Sequence, residues 1–162
     1  TTALEKHCCV GISSTIGVRR QRIHFMSFTD GDRLLLIEAV NQDAELQRRG
    51  KYYSVSFGLL TDSQQDSQQG VQEKGDPAEN RTNFIVENGQ LTDVNHDSME
   101  VDFTIQSSAS CWRGFREEKP SPGFHDISAL LDTKRARIEG NVMPWLSNML
   151  FVKGVIEVWR HL

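Results

Sequence analysis

The chain has 162 residues, of which 38% are hydrophobic and 25% charged, and its formal net charge is -4. That length allows one domain with a real core, and the acidic balance argues against a nucleic-acid partner, with Arg19, Arg20 and Arg22 the densest basic cluster. No stretch is long and apolar enough to span a bilayer, so no transmembrane segment is expected. The first residues also lack the basic-then-apolar pattern of a signal peptide.

Residues 1–18 carry scattered apolar side chains among Gly11, Gly17, Ser13 and Ser14, which leaves a short helix and an irregular strand both open. Residues 22–28 alternate as a strand, with Ile23 and Phe25 on one face and His24, Met26 and Phe28 on the other. Thr29-Asp-Gly-Asp32 predicts a turn, because Asp-Gly tolerates positive φ. Residues 33–40, apolar on both faces over much of their length, then read as a returning strand. Residues 41–51 form a polar connection with a helical turn over 43–46. Tyr53, Val55, Phe57 and Leu59 fall on one side of a strand over 52–60.

Residues 61–81 hold one sizeable apolar side chain, Val71, too little burial to offset ordering entropy, and predict a mobile surface loop. Asn88-Gly89 is the strongest short hairpin signal, a type I′ turn inside a hairpin over 83–94. Val101, Phe103 and Ile105 alternate as a half-buried strand, and Ser107-Ser108 supply N-cap oxygens for a helix that places Trp112 and Phe115 on one face. Pro120 and Pro122 end that helix. Asp126 caps a second short helix with Ile127, Leu130 and Leu131 inward. Residues 135–139 alternate as a strand, Gly140-Asn141 turns, and Asn141 caps a final helix over 142–160 with Pro144 in its first turn. The final helix is apolar over more than the stripe one core face requires. Its surplus requires a deeper core, a second subunit, a membrane surface or an apolar ligand.

The count is five or six strands, mainly antiparallel, with helices packed on one face: an α+β domain. The whole of 1–162 reads as a single domain, in which 1–50 form an N-terminal extension with a hairpin. Three cysteines, Cys8, Cys9 and Cys111, make no disulfide framework and favour a reducing, intracellular and cytoplasmic setting. Their spacing suits no zinc site, and no metal or cofactor is expected. Asn80-Arg-Thr82 fits a glycosylation sequon of the kind that arises by chance.

No catalytic motif of the common kinds is present. Glu38, following four apolar residues, is the best placed carboxylate for an apolar setting, where burial would raise its pKa and suit acid–base work. The competing reading puts it in solvent at a strand end. His24 on a strand and Asp102 are further weak candidates, and His125-Asp126 sits at a turn. Trp112, Phe115, Phe124, Trp145, Phe151 and Trp159 are by default core, although an apolar pocket would use the same residues.

The order of motifs from 52 to 162 resembles sterol carrier protein type two domains. The residues that carry it are Val101-Asp-Phe-Thr-Ile105, Ser108-Ala-Ser-Cys-Trp112 opening a helix, Phe115, Phe124-His-Asp-Ile-Ser-Ala-Leu-Leu131, Arg135-Ala-Arg-Ile-Glu-Gly140-Asn141 and the hairpin Phe84-Ile-Val-Glu-Asn-Gly-Gln-Leu91. Residues 1–50 depart from the pattern, with a hairpin in place of the usual N-terminal helix. The resemblance implies a mixed sheet covered by helices on one face, with an apolar cavity between. It implies non-covalent binding of a sterol, fatty acyl chain or similar lipid, with Trp112, Phe115, Phe124, Trp145, Met149 and Val152 as ligand-binding residues. Two alternatives stand beside it. One is a cavity enzyme (an isomerase, cyclase or hydro-lyase) using Glu38, His24 or Asp102, although the balance falls to a non-enzyme. The other is an interaction module whose final helix packs on a second copy or a partner enzyme.

Overall fold

The structure is a computed structural model and describes residues 29–62 and 81–162. The strand expected over 22–28, the candidate His24, Cys8, Cys9, and most of the loop expected over 61–81 lie outside the described residues.

The expected strand over 33–40 is a helix, α1 (Asp30–Gln42). Thr29-Asp-Gly-Asp32 is a capping box and not a hairpin turn. The Asp32 N–H donates to Thr29 Oγ at 3.2 Å, and the Asp32 carboxylate accepts from the Thr29 N–H at 3.1 Å. Only Leu36 and Val40 of α1 are buried, four residues apart, while Leu34 and Leu35 are exposed. A single Asp43 carboxylate then accepts from the Glu45 and Leu46 N–H groups and starts α2 (Ala44–Gly50).

Five strands form one mixed sheet in the order β3-β2-β1-β4-β5. They are β1 (Val55–Thr61), β2 (Arg81–Glu87), β3 (Gln90–Asn95), β4 (Phe103–Ser107) and β5 (Ala136–Gly140). Every neighbouring pair is antiparallel except the central β1 and β4, which run parallel. The β2–β3 hairpin turns on Asn88 (φ 52°) and Gly89 (φ 82°), the two positive φ values a type I′ turn requires. A side chain at Gly89 would also strike the Gly50 carbonyl, which ties the hairpin tip to the end of α2.

Register puts Phe57 between Phe84 and Phe103, with ring centroids 4.8 and 5.6 Å away. Leu59 and Ile105 pair beside them, and all five side chains are fully buried. The opposite face carries Thr104, Gln106, Arg137 and Glu139, linked by Arg137 Nη2 to Gln106 Oε1 at 2.8 Å and Gln106 Nε2 to Glu139 Oε2 at 2.5 Å. The apolar face is therefore the one the helices cover.

Ser108 accepts from the Cys111 N–H and starts α3 (Ala109–Phe115), and Asp126 accepts from the Ser128 N–H and starts α4 (Ile127–Asp132). The single helix expected over 142–160 is two, α5 (Val142–Ser147) and α6 (Met149–Arg160). Asn141 caps α5 as expected, through the Met143 N–H. The break falls at Asn148 (φ -144°, ψ 46°), whose side-chain amide donates to the Arg49 carbonyl at 3.0 Å and makes no cap bond to α6. That long-range bond replaces helix continuity. It lets Trp145 turn edge-on to Phe103 while Phe151, Val152, Val155, Ile156 and Trp159 enter the core from α6.

Candidate functional site

The inner layer is occupied by side chains. Trp112 is fully buried, donates its indole N–H to the Leu60 carbonyl at 3.0 Å, and meets Phe115 and Trp159 edge-on, each at 6.1 Å. Phe115 and Val152 are also fully buried, and Trp145 nearly so. Phe124 is half-buried under the Arg135 guanidinium, 4.4 Å from its ring centroid. Met149 is exposed at the first turn of α6. Of the six expected ligand-binding residues, four thus stand in the core, and Phe115 is the one that also faces a cleft.

Among the described residues, two clefts lie on the outer side of α6. One cleft of about 490 Å³ runs between α2 and the end of α6, and is lined by Asp43, Glu45, Leu46, Arg49, Gly154, Glu157, Val158, His161 and Leu162. A second of about 320 Å³ opens between α6 and the segment entering α4, and is lined by Phe115, His125, Asp126, Ile127, Leu150 and Lys153 together with Arg49, Gly154 and Glu157. The last three residues line both, so the two clefts meet along α6. Each lies within the size range of small-molecule pockets.

Two glycines let α2 and α6 approach this closely. A side chain at Gly154 would strike Leu46, and one at Gly50 would strike the Phe151 ring. The floor is apolar, built from Leu46, Phe115, Ile127, Leu150 and Val158, while charges stand on the rim. Lys153 Nζ pairs with Asp126 Oδ2 at 2.5 Å. Partial burial pushes the Asp126 carboxyl up, but the Lys153 and Ser128 hydrogen bonds outweigh it and hold the group below its usual range. Glu45 takes both Arg48 and Arg49, at 2.7 and 2.8 Å, and its carboxyl is held at about 2, foremost by the Arg48 hydrogen bond. Beneath the floor, Arg160 is buried with its guanidinium 4.8 Å from the Phe115 ring centroid, and Nη1 donates to the His125 carbonyl at 2.9 Å.

The carboxylates considered for catalysis stand elsewhere. Glu38 is exposed on α1 and accepts from Gln42 Nε2 at 2.7 Å, so the expected apolar setting is not found. A helix, unlike a strand, turns this position out of the core. Asp102 is exposed and accepts from the Ser56 N–H and Oγ at 2.7 and 2.9 Å, which fastens β1 to β4. Neither lines a cleft. His125 is exposed and lines the second cleft. Sequence reasoning missed Leu46, Arg49, Lys153 and Gly154. Only Gly154 carries a local signal, a glycine inside an otherwise apolar helix, which marks close approach by a neighbour.

Among the described residues no helix is long and apolar enough to cross a membrane, and no group of three or more His, Cys, Asp or Glu could hold a metal ion. No protein-family model and no curated protein matches the chain. Solved structures do. A crystal structure of sterol carrier protein 2 superposes with TM-score 0.59 at 12% identity, covering 83% of this chain and 97% of that one. A conserved hypothetical protein of Thermus thermophilus, described as a candidate sterol carrier protein, does so with TM-score 0.55 at 15% identity, covering 82% and 90%. The returning strand of the hairpin expected within 1–50 is instead the helix α1. The chain has the sterol carrier protein 2 fold.

Proposed function

We propose that this protein binds an apolar ligand, a fatty acyl chain, sterol or similar lipid, without covalent chemistry. The observation that carries the reading is the groove along the outer side of α6, apolar on its floor and charged on its rim. Burying an acyl chain there releases about 25 cal/mol per Å² of apolar surface. Lys153 and Arg49 on the rim are paired with Asp126 and Glu45, and a carboxylated or phosphorylated lipid end would bind there by displacing one of those carboxylates. The fold shared with sterol carrier protein 2 supports the same reading. The chain acts as one domain in an intracellular setting on this view, and the buried Trp112 backs the groove through its edge-on contact with Phe115.

The test is titration of delipidated protein with a fluorescent fatty acid and a fluorescent sterol in vesicle-free solution. Saturable uptake at micromolar concentration is expected for one of them. Val158→Glu, which puts a charge on the half-buried floor, is expected to abolish it. Absence of uptake for both probes would remove the reading, and undiminished uptake by Val158→Glu would move the ligand out of this groove.

A further inference from the structure

The apolar side chains left over by the core gather at α5 and the first turn of α6. Met143 and Leu146 are each 60% exposed, Leu150 56%, Val142 42% and Met149 37%. No residue from 141 to 152 carries a charge. This patch runs into the groove through Leu150.

Beside it stands the loop that joins α2 to β1. Three contacts hold the loop and the end of α2 there: the Tyr53 hydroxyl donates to the Pro144 carbonyl at 2.5 Å, Asn148 donates to the Arg49 carbonyl, and Gly50 abuts the Phe151 ring. The loop and the helix end before it bring Arg48, Arg49, Lys51 and Tyr52 to the border of the patch. Arg48 and Arg49 share Glu45, Lys51 stands beyond them, and Asp102 acts on Tyr53 from the other side, so these cations outnumber these two carboxylates and the border is positive in a chain whose net charge is negative. Tyr52 is 80% exposed and has φ 67°, a left-handed conformation that costs a tyrosine free energy. The ring is held outward with the Lys51 ammonium 4.9 Å from its centroid.

We infer that this face docks on an anionic lipid surface. Uncharged apolar side chains enter the acyl boundary, an amphipathic tyrosine ring suits the headgroup level, and the basic border meets anionic headgroups. A second copy fits less well, because a two-fold contact centred on the patch would set the two positive borders against each other.

The experiment is sedimentation of the full delipidated chain with vesicles of phosphatidylcholine, alone or mixed with phosphatidylserine. Binding to the mixed vesicles is expected, weakened by added salt. Met143→Glu/Leu146→Glu, at exposed positions outside the clefts, is expected to weaken it by about tenfold or more. Lys51→Ala is expected to weaken it by about fivefold on the anionic vesicles. Leu34→Glu/Leu35→Glu, an equally exposed pair on α1, is expected to change nothing. Near-ultraviolet circular dichroism checks that each variant folds. Wild-type protein that stays in the supernatant, or equal losses from the α1 and α5 pairs, would overturn the inference. So would a stable dimer that Met143→Glu/Leu146→Glu converts to monomer, which would assign the face to a second copy. Docking stands independently of ligand uptake, since one is read with vesicles and the other without.

Discussion

The two sides of α6 do different work. Its inner side is sealed: Phe151, Val152, Val155, Ile156 and Trp159 leave at most traces of surface, and Trp159 meets Trp112 of α3 edge-on. Its outer side presents Leu150, Lys153, Gly154 and Val158 to open volume. An apolar helix therefore need not mean an internal tunnel. The residue that separates the two roles is Gly154, whose missing side chain admits α2 without letting it cover the groove.

The inner side is the more sensitive to substitution. Trp112→Ala is expected to lower stability by about 3–5 kcal/mol, seen as an earlier urea midpoint, because it empties a closed site and removes the bond to Leu60. Gly154→Ala tests the outer side. It forces Leu46 to move and is expected to cost about 1–3 kcal/mol while changing probe uptake, whereas a purely structural groove would change stability alone. Thr29→Ala removes the capping box of α1 and is expected to cost about 1 kcal/mol in the same denaturation experiment.

The Lys153–Asp126 pair on the rim makes the outer side respond to pH. Asp126 has a folded pKa below its ordinary 3.8. Its contribution is present above that value and is lost as pH falls through the lower folded pKa. The pair is partly open to solvent, so the effect is expected to stay below about 1 kcal/mol. A stability curve from pH 6 downward should flatten below about pH 4 in Asp126→Asn relative to wild type. The smallest effect is expected for Glu38→Gln, within about 0.5 kcal/mol, because the side chain is exposed and bonds Gln42 of its own helix.

Local chemistry made much of this fold legible. Asn88-Gly89, Ser108, Asp126 and Asn141 each act within a few residues of where they stand, and the structure uses all four as turn or cap. Thr29-Asp-Gly-Asp32 read as a turn because Asp-Gly suits one, yet the same stretch caps α1. Leu34-Leu-Leu-Ile37 could not decide, since an unbroken apolar run has no period. The α5–α6 break was invisible, because its partner is the Arg49 carbonyl, 99 positions away. The groove was hidden for the same reason. Its walls come from α2, the segment entering α4, and α6, and nothing in one wall announces the next.

The parallel pairing of β1 with β4 bears on how fast the sheet can assemble. The β2–β3 hairpin closes locally, but Ser56 must find Asp102 across 46 positions before the sheet has a centre. Contacts of such separation repay their loop entropy only once formed, which slows folding relative to helical proteins of similar size. Until then, both long edges of the hairpin layer stand open. In stopped-flow refolding, Ile105→Val should leave the folding arm nearly unchanged and speed unfolding if the β1–β4 contact forms after the rate-limiting step, and should slow folding if that contact is the step itself.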